Sequence, residues 1–108
     1  MTETLFKQVK RKLNITWEDD ETTARLNDII GAAIPDLIHR LGITDPEFDF
    51  SVAGDENTLF LNRCFYEWEH ILPEFYTNYA ESIAQVRSRN DVKHYLESEE
   101  AISETEIQ

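Results

Sequence analysis

Glu67 and His70 stand three residues apart, the spacing that puts a carboxylate and an imidazole on one face of a helix. Such a pair is one half of a carboxylate-bridged di-metal site in a helix bundle. The other half would be a second Glu-x-x-His, and none occurs in the 108 residues. The sole cysteine, Cys64, would need an adjacent base and a lowered pKa to act as a nucleophile. His39, His70 and His94 are the imidazoles at hand, and nothing in their spacing points at Cys64. A buried, inert thiol is therefore expected. Glu18, Asp19, Asp20 and Glu21 are consecutive acids. Neighbours on a helix point in different directions, so the run suits capping of a helix N-terminus better than holding a cation. Three isolated glycines cannot form a phosphate loop. The expectation is a chain without catalytic, metal or cofactor chemistry.

The elements that carry these residues are helical by pattern. From Asn57 to Tyr95 the chain holds Phe60, Phe65, Tyr66, Trp68, Phe75, Tyr76, Tyr79 and Tyr95, with no glycine and Pro73 as its one proline. Leu61, Phe65, Trp68, Leu72, Phe75 or Tyr76, Tyr79, Ile83 and Val86 recur at helical steps. This spacing predicts one long helix, capped by Asn57 and bent or broken near Pro73. Residues 2–13 read as a short basic helix with Leu5, Val9 and Leu13 on one stripe and Lys7, Lys10, Arg11 and Lys12 around it. Residues 20–41 carry a wide stripe of Leu26, Ile29, Ile30, Ala33, Ile34, Leu37, Ile38 and Leu41. Gly42 stands where a C-cap glycine belongs, and Pro35 predicts a bend. In the loop 43–56, Phe48, Phe50 and Val52 alternate with Asp49 and Ser51. The alternation allows an extended edge strand open to a neighbouring subunit, or two phenylalanines tucked onto the helices. The fold class read from these patterns is all-α: a small helical bundle around one long central helix. One domain over residues 1–96 precedes a flexible acidic tail over 97–108.

Charge narrows the function. Ten Lys and Arg against 22 Asp and Glu give a formal charge of −12, which argues against docking on the outside of DNA. No apolar run approaches membrane-spanning length, and no signal peptide is visible. A single cysteine suits a reducing compartment. Two basic patches, one over residues 7–12 and one at Arg87, Arg89, Lys93 and His94, lie on an otherwise acidic chain. That segregation suits an assembly protein.

The layout resembles the head–tail connector (adaptor) proteins of tailed bacteriophages across residues 4–96. The likeness rests on the opening FKQVKRKLNIT, on the acid-capped WEDDETTARLNDIIGAAIPDLIHRLGI, on the glycine-bearing middle loop, and on the aromatic helix. Phe75-Tyr76-Thr77-Asn78-Tyr79-Ala80-Glu81-Ser82-Ile83 match the family style best. The resemblance implies a structural virion protein whose copies form a ring below the portal protein. Such a ring extends the DNA channel and meets a tail or stopper protein. DNA passes through its lumen without sequence-specific binding. The expected location is the head–tail interface of the virion, with the host cytoplasm during assembly. Candidate interface residues are the cations Lys7, Lys10, Arg11, Arg87 and Arg89 and the anchors Trp17, Phe48 and Phe50. The alternative is a small acidic regulatory protein that mimics DNA toward a basic partner. Its acids cluster at residues 18–21 and 97–106 instead of spreading over one face like phosphates.

Overall fold

The computed structural model describes the backbone of residues 2–107 and the side chains of residues 3–98. Five helices follow one another: α1 (Thr2–Lys12), α2 (Asp20–Arg40), α3 (Asp55–Trp68), α4 (Leu72–Asn78) and α5 (Ala80–Ile107). No strand occurs among the described residues, so the fold is an all-α bundle. α3 lies at its centre and packs against each of the other four helices. The core is shared: Leu5 and Val9 come from α1, Leu26, Ala33 and Leu37 from α2, Phe60 and Cys64 from α3, Phe75 from α4, and Val86 from α5.

The long stretch 57–95 is not one helix. It is α3, α4 and most of α5, and the break falls at Glu69–Ile71, just ahead of Pro73. Breaking there removes the clash that Pro73 would have with the Glu69 carbonyl in a continuous helix. Pro73 instead occupies the first turn of α4, where a missing N–H costs nothing. The helix begins two residues earlier than Asn57, with Gly54 at its N-cap. Asn57 sits in the first turn, and its side-chain amide donates to Gln8 Oε1 (2.9 Å) and to the Phe50 carbonyl (2.7 Å). α2 runs unbroken through Pro35, and Asp19 caps it by accepting the Thr22 N–H at 2.7 Å. The acidic run is thus a cap.

The ends of α1, α2 and α3 share one device. Asn14, Gly42 and His70 each follow their helix in the left-handed region, at φ of 59°, 65° and 64°. In each case the next residue is isoleucine, and its N–H reaches back to a carbonyl of the last turn. The pairs are Ile15 to Lys10 (3.0 Å), Ile43 to Ile38 (3.0 Å) and Ile71 to Tyr66 (2.9 Å). The left-handed residue donates in turn to Arg11, His39 and Glu67. This is the Schellman arrangement, made three times.

The loop does not form a strand. Asp45 and Asp49 each accept a backbone N–H two residues on, from Glu47 and Ser51, at 2.9 Å. These turns fold the phenylalanines inward. Phe50 is 1% exposed and stacks on Phe60 with centroids 4.8 Å apart, while Phe48 meets it edge-on at 5.0 Å. α5 joins the bundle through Ile83, Val86 and Asn90, and residues 91–98 are all exposed. Its helical backbone continues to Ile107, into the segment expected to be a flexible acidic tail. The side chains from residue 99 onward lie outside the described residues.

His70 has a Cβ in a conformation that glycine occupies without strain. His70→Gly should therefore stabilise the chain by about 0.5–1 kcal/mol. Thermal unfolding checks this, with Tm expected to rise by a few degrees.

Candidate functional site

Among the described residues one charged side chain is buried: Arg63, 4% exposed. It stands three after Phe60 and four after Leu59, on the face of α3 turned to the core. Its Nε donates to Asp36 Oδ2 at 2.8 Å, and its Nη1 donates to Glu67 Oε1 at 2.8 Å. Asp36 also accepts from Arg40 Nε (2.8 Å) and from the Tyr76 hydroxyl (2.7 Å). The Arg40 guanidinium lies 3.9 Å from the centroid of the Tyr76 ring. One carboxylate therefore ties α2 to α3 and α4. Burial pushes the Asp36 carboxyl up, but the hydrogen bonds from Tyr76, Arg40 and Arg63 and the Arg63 charge outweigh it. The carboxyl is held below its ordinary range.

A second tie lies at the C-terminal end of α3, one residue beyond Glu67. Arg25 Nη2 donates to the Trp68 carbonyl (2.6 Å) and lies 3.3 Å from His70 Nε2. Its guanidinium stacks 4.0 Å from the Trp68 ring. His70 is thus at the surface beside Arg25, and Glu67 serves Arg63. The Glu-x-x-His pair forms no metal cluster, and no group of three or more candidate metal ligands occurs among the described residues. Cys64 is fully buried, and burial pushes its thiol up to about 12, far from nucleophilic use.

The expected interface residues divide by environment. Arg87 donates to the His39 carbonyl at the end of α2 (2.9 Å) and pairs with Asp91. Arg89 is held by Asp55 (3.2 Å) and Glu56 (2.6 Å) at the start of α3. Both clamp α5 to the bundle. Phe50 is a core residue and offers no surface, and Phe48 is half-buried against it. Trp17 is 49% exposed, with its Nε1 donating to Thr22 Oγ1 at 3.2 Å. On α1, Lys7 pairs with Glu3 at the surface, and Lys10 lays its stem beside the Phe6 ring within 3.8 Å of Glu18. Arg11 and Lys12 are exposed, and neither has an ion-pair partner among the described residues. The cationic surface left free of internal ties is thus that of α1 together with Lys93, which is exposed on α5.

Asp36, Arg63, Tyr76 and Arg25 escaped sequence reasoning, though a signal existed. Arg63 interrupts an apolar face, and Asp36–Arg40 and Arg63–Glu67 are i,i+4 pairs of opposite charge.

Asp36→Asn should cost about 3 kcal/mol at pH 7, because it leaves the Arg63 charge buried without its carboxylate. The folded-state pKa of Asp36 is depressed. Its contribution is therefore complete above the unfolded carboxyl value, about 3.9, and is lost as pH falls through the folded one. Urea unfolding at pH 7 and pH 3 should show the gap between variant and parent shrinking at the lower pH. Cys64 should ignore a soluble disulfide reagent in the native chain and react at once in 8 M urea, about the strength that unfolds most small domains. Prompt native reaction would contradict its burial.

Comparison of the chain with family models, with curated proteins and with solved structures finds no match, so the connector likeness rests on the residue pattern alone.

Proposed function

We propose that this chain is a structural assembly subunit: a head–tail connector whose copies ring the DNA channel below a portal and join the capsid to a tail or stopper protein. The observation that carries this reading is the cluster of exposed cations on α1, Lys7, Arg11 and Lys12, on a chain whose net charge is −12. A basic face on an acidic body favours head-to-tail neighbours, and head-to-tail contacts form a ring when the rotation between neighbours closes. The net charge of −12 adds a second reason. A ring of roughly a dozen such subunits repels phosphate, so DNA slides past instead of sticking. The site chemistry agrees: the buried charges hold helices together, and Cys64 is inert. The basic residues of α1 would meet an acidic patch on a neighbouring subunit or on the portal. The working place of the protein is then the head–tail interface of the virion. No helix of the described residues is long and apolar enough to cross a membrane.

Multi-angle light scattering over a range of concentration, with and without purified portal, tests the reading. A ring-sized mass, or binding on addition of portal, is the expected result. A 12.7 kDa monomer indifferent to portal would remove it and favour the DNA-mimic alternative. That alternative predicts a small protein that captures a basic, DNA-binding partner.

A further inference from the structure

Gln8, Arg11 and Lys12 stand at steps of three and four, so they share one face of α1. Asn57 and Leu61 stand four apart on α3, which packs against α1. Together these five line a shallow cleft of about 340 Å3. Its two amides are locked. Gln8 Nε2 donates to the Ser51 carbonyl (2.9 Å), and Asn57 Nδ2 donates to Gln8 Oε1 (2.9 Å) and to the Phe50 carbonyl (2.7 Å). A backbone carbonyl only accepts, so each one fixes which end of its amide is nitrogen. These bonds use both hydrogens of the Asn57 amide. They leave one N–H of Gln8 to donate and Asn57 Oδ1 to accept. No buried side-chain nitrogen or oxygen lacks a partner among the described residues, so Asn57 Oδ1 is open to solvent. Arg11 and Lys12 are exposed and stand outside the ion pairs of the described residues. Leu61 adds a half-buried apolar wall.

The cleft thus presents a fixed donor, a fixed acceptor, an apolar wall and two cations side by side. A phosphate group answers the cations and the donor. It has no N–H for Asn57 Oδ1 and nothing apolar for Leu61. A peptide segment answers all four, through a backbone carbonyl, a backbone N–H, an apolar side chain and a carboxylate. We infer that the α1–α3 cleft binds a short acidic peptide segment of a partner protein. The segment's carboxylate meets Arg11 and Lys12. One of its carbonyls accepts from Gln8 Nε2, one of its N–H groups donates to Asn57 Oδ1, and its apolar side chain covers Leu61. Charge adds a second reason to set nucleic acid aside: a chain of −12 repels a polyanion more than a short segment with few charges. This deepens the connector reading and rests on it for where the segment sits, on a neighbouring subunit or on the portal. The binding itself needs neither.

The test is a two-dimensional 1H–15N NMR titration of the full-length chain, in which the side-chain amide signals of Gln8 and Asn57 report on the cleft directly. The probe is a short blocked peptide of alternating glutamate and leucine, added to several millimolar. Both amide signals should move together and saturate, with a Kd of about 0.1–1 mM. A glutamine–leucine peptide, which lacks the carboxylates, and a glutamate–serine peptide, which lacks the apolar side chains, should each bind at least tenfold more weakly. Inorganic phosphate and a short DNA duplex should leave the two signals in place. Arg11→Gln/Lys12→Gln should weaken the glutamate–leucine peptide at least tenfold. Both positions are exposed, so the rest of the variant's spectrum should match the parent. Amide signals that stay still, an equal response to phosphate or DNA, or a variant that binds like the parent would each overturn the site. Peptide binding by a chain that ignores portal would sink the connector reading alone. Portal binding by a chain whose cleft ignores the peptide would sink this site alone.

Discussion

The Asp36–Arg63 ion pair is the constraint on which the arrangement of α2, α3 and α4 depends. A guanidinium that is 4% exposed is costly unless each strong donor finds an acceptor in the right place. Asp36 on α2 and Glu67 on α3 provide those acceptors, and Asp36 then recruits Tyr76. The apolar core alone would tolerate several relative positions of α2 and α3, because Leu and Ile surfaces are forgiving. Sliding α2 by one turn would carry Asp36 about 5.4 Å away and strand the Arg63 charge. The pair therefore acts against misregistered bundles as much as it stabilises the right one. α4 shows the consequence most clearly. Seven residues are too few to hold a helix unaided. Phe75 in the core and the Tyr76 hydroxyl on Asp36 fix it in place.

Helix ends supply the second constraint. Three glycines serve the whole chain, and one of them, Gly42, terminates a helix. Asn14 and His70 take the same left-handed backbone at the other two ends. Ile15 is buried and Ile43 packs against the core, the hydrophobic contact that accompanies this arrangement, whereas Ile71 stays exposed. Gly42 sits where α5 approaches the end of α2: a Cβ there would meet the movable end of the Asp91 side chain and lie 3.4 Å from Arg87 Cγ. Arg87 and Asn90 use that approach, donating to the His39 and Leu41 carbonyls at that helix end.

Much of this was legible in the sequence, and the failures have local causes. The apolar stripes of α1 and α2 marked their buried faces, and Gly42 and the acidic run marked two helix boundaries. The stripe from Leu61 to Val86 kept its helical period across the break at Glu69–Ile71, so periodicity alone could not see three helices there. Pro73 pointed to the right neighbourhood, but a proline signals a helix start as well as a kink. The Asn-Ile, Gly-Ile and His-Ile pairs would have located three ends had they been read as one pattern. Of the two readings open for Phe48 and Phe50, the tucked one holds, because the turns at Asp45 and Asp49 outweigh the strand-like alternation. Charge marks Arg87 and Arg89 as interface candidates, but it does not reveal that they serve carbonyls and acids of their own chain. The link between Asp36 and Tyr76 spans 40 residues, and no local rule reaches that far.

The acidic excess has a meaning that the whole-chain total conceals. Arg25, Arg40, Arg63, Arg87 and Arg89 are spent on internal contacts, so the remaining cations are the four of α1 and Lys93 of α5. Lys93 and His94 lie between Val92 and Tyr95, so the exposed apolar residues of α5 are flanked by both signs of charge. The total of −12 therefore hides a division between cations bound within the fold and cations left to solvent.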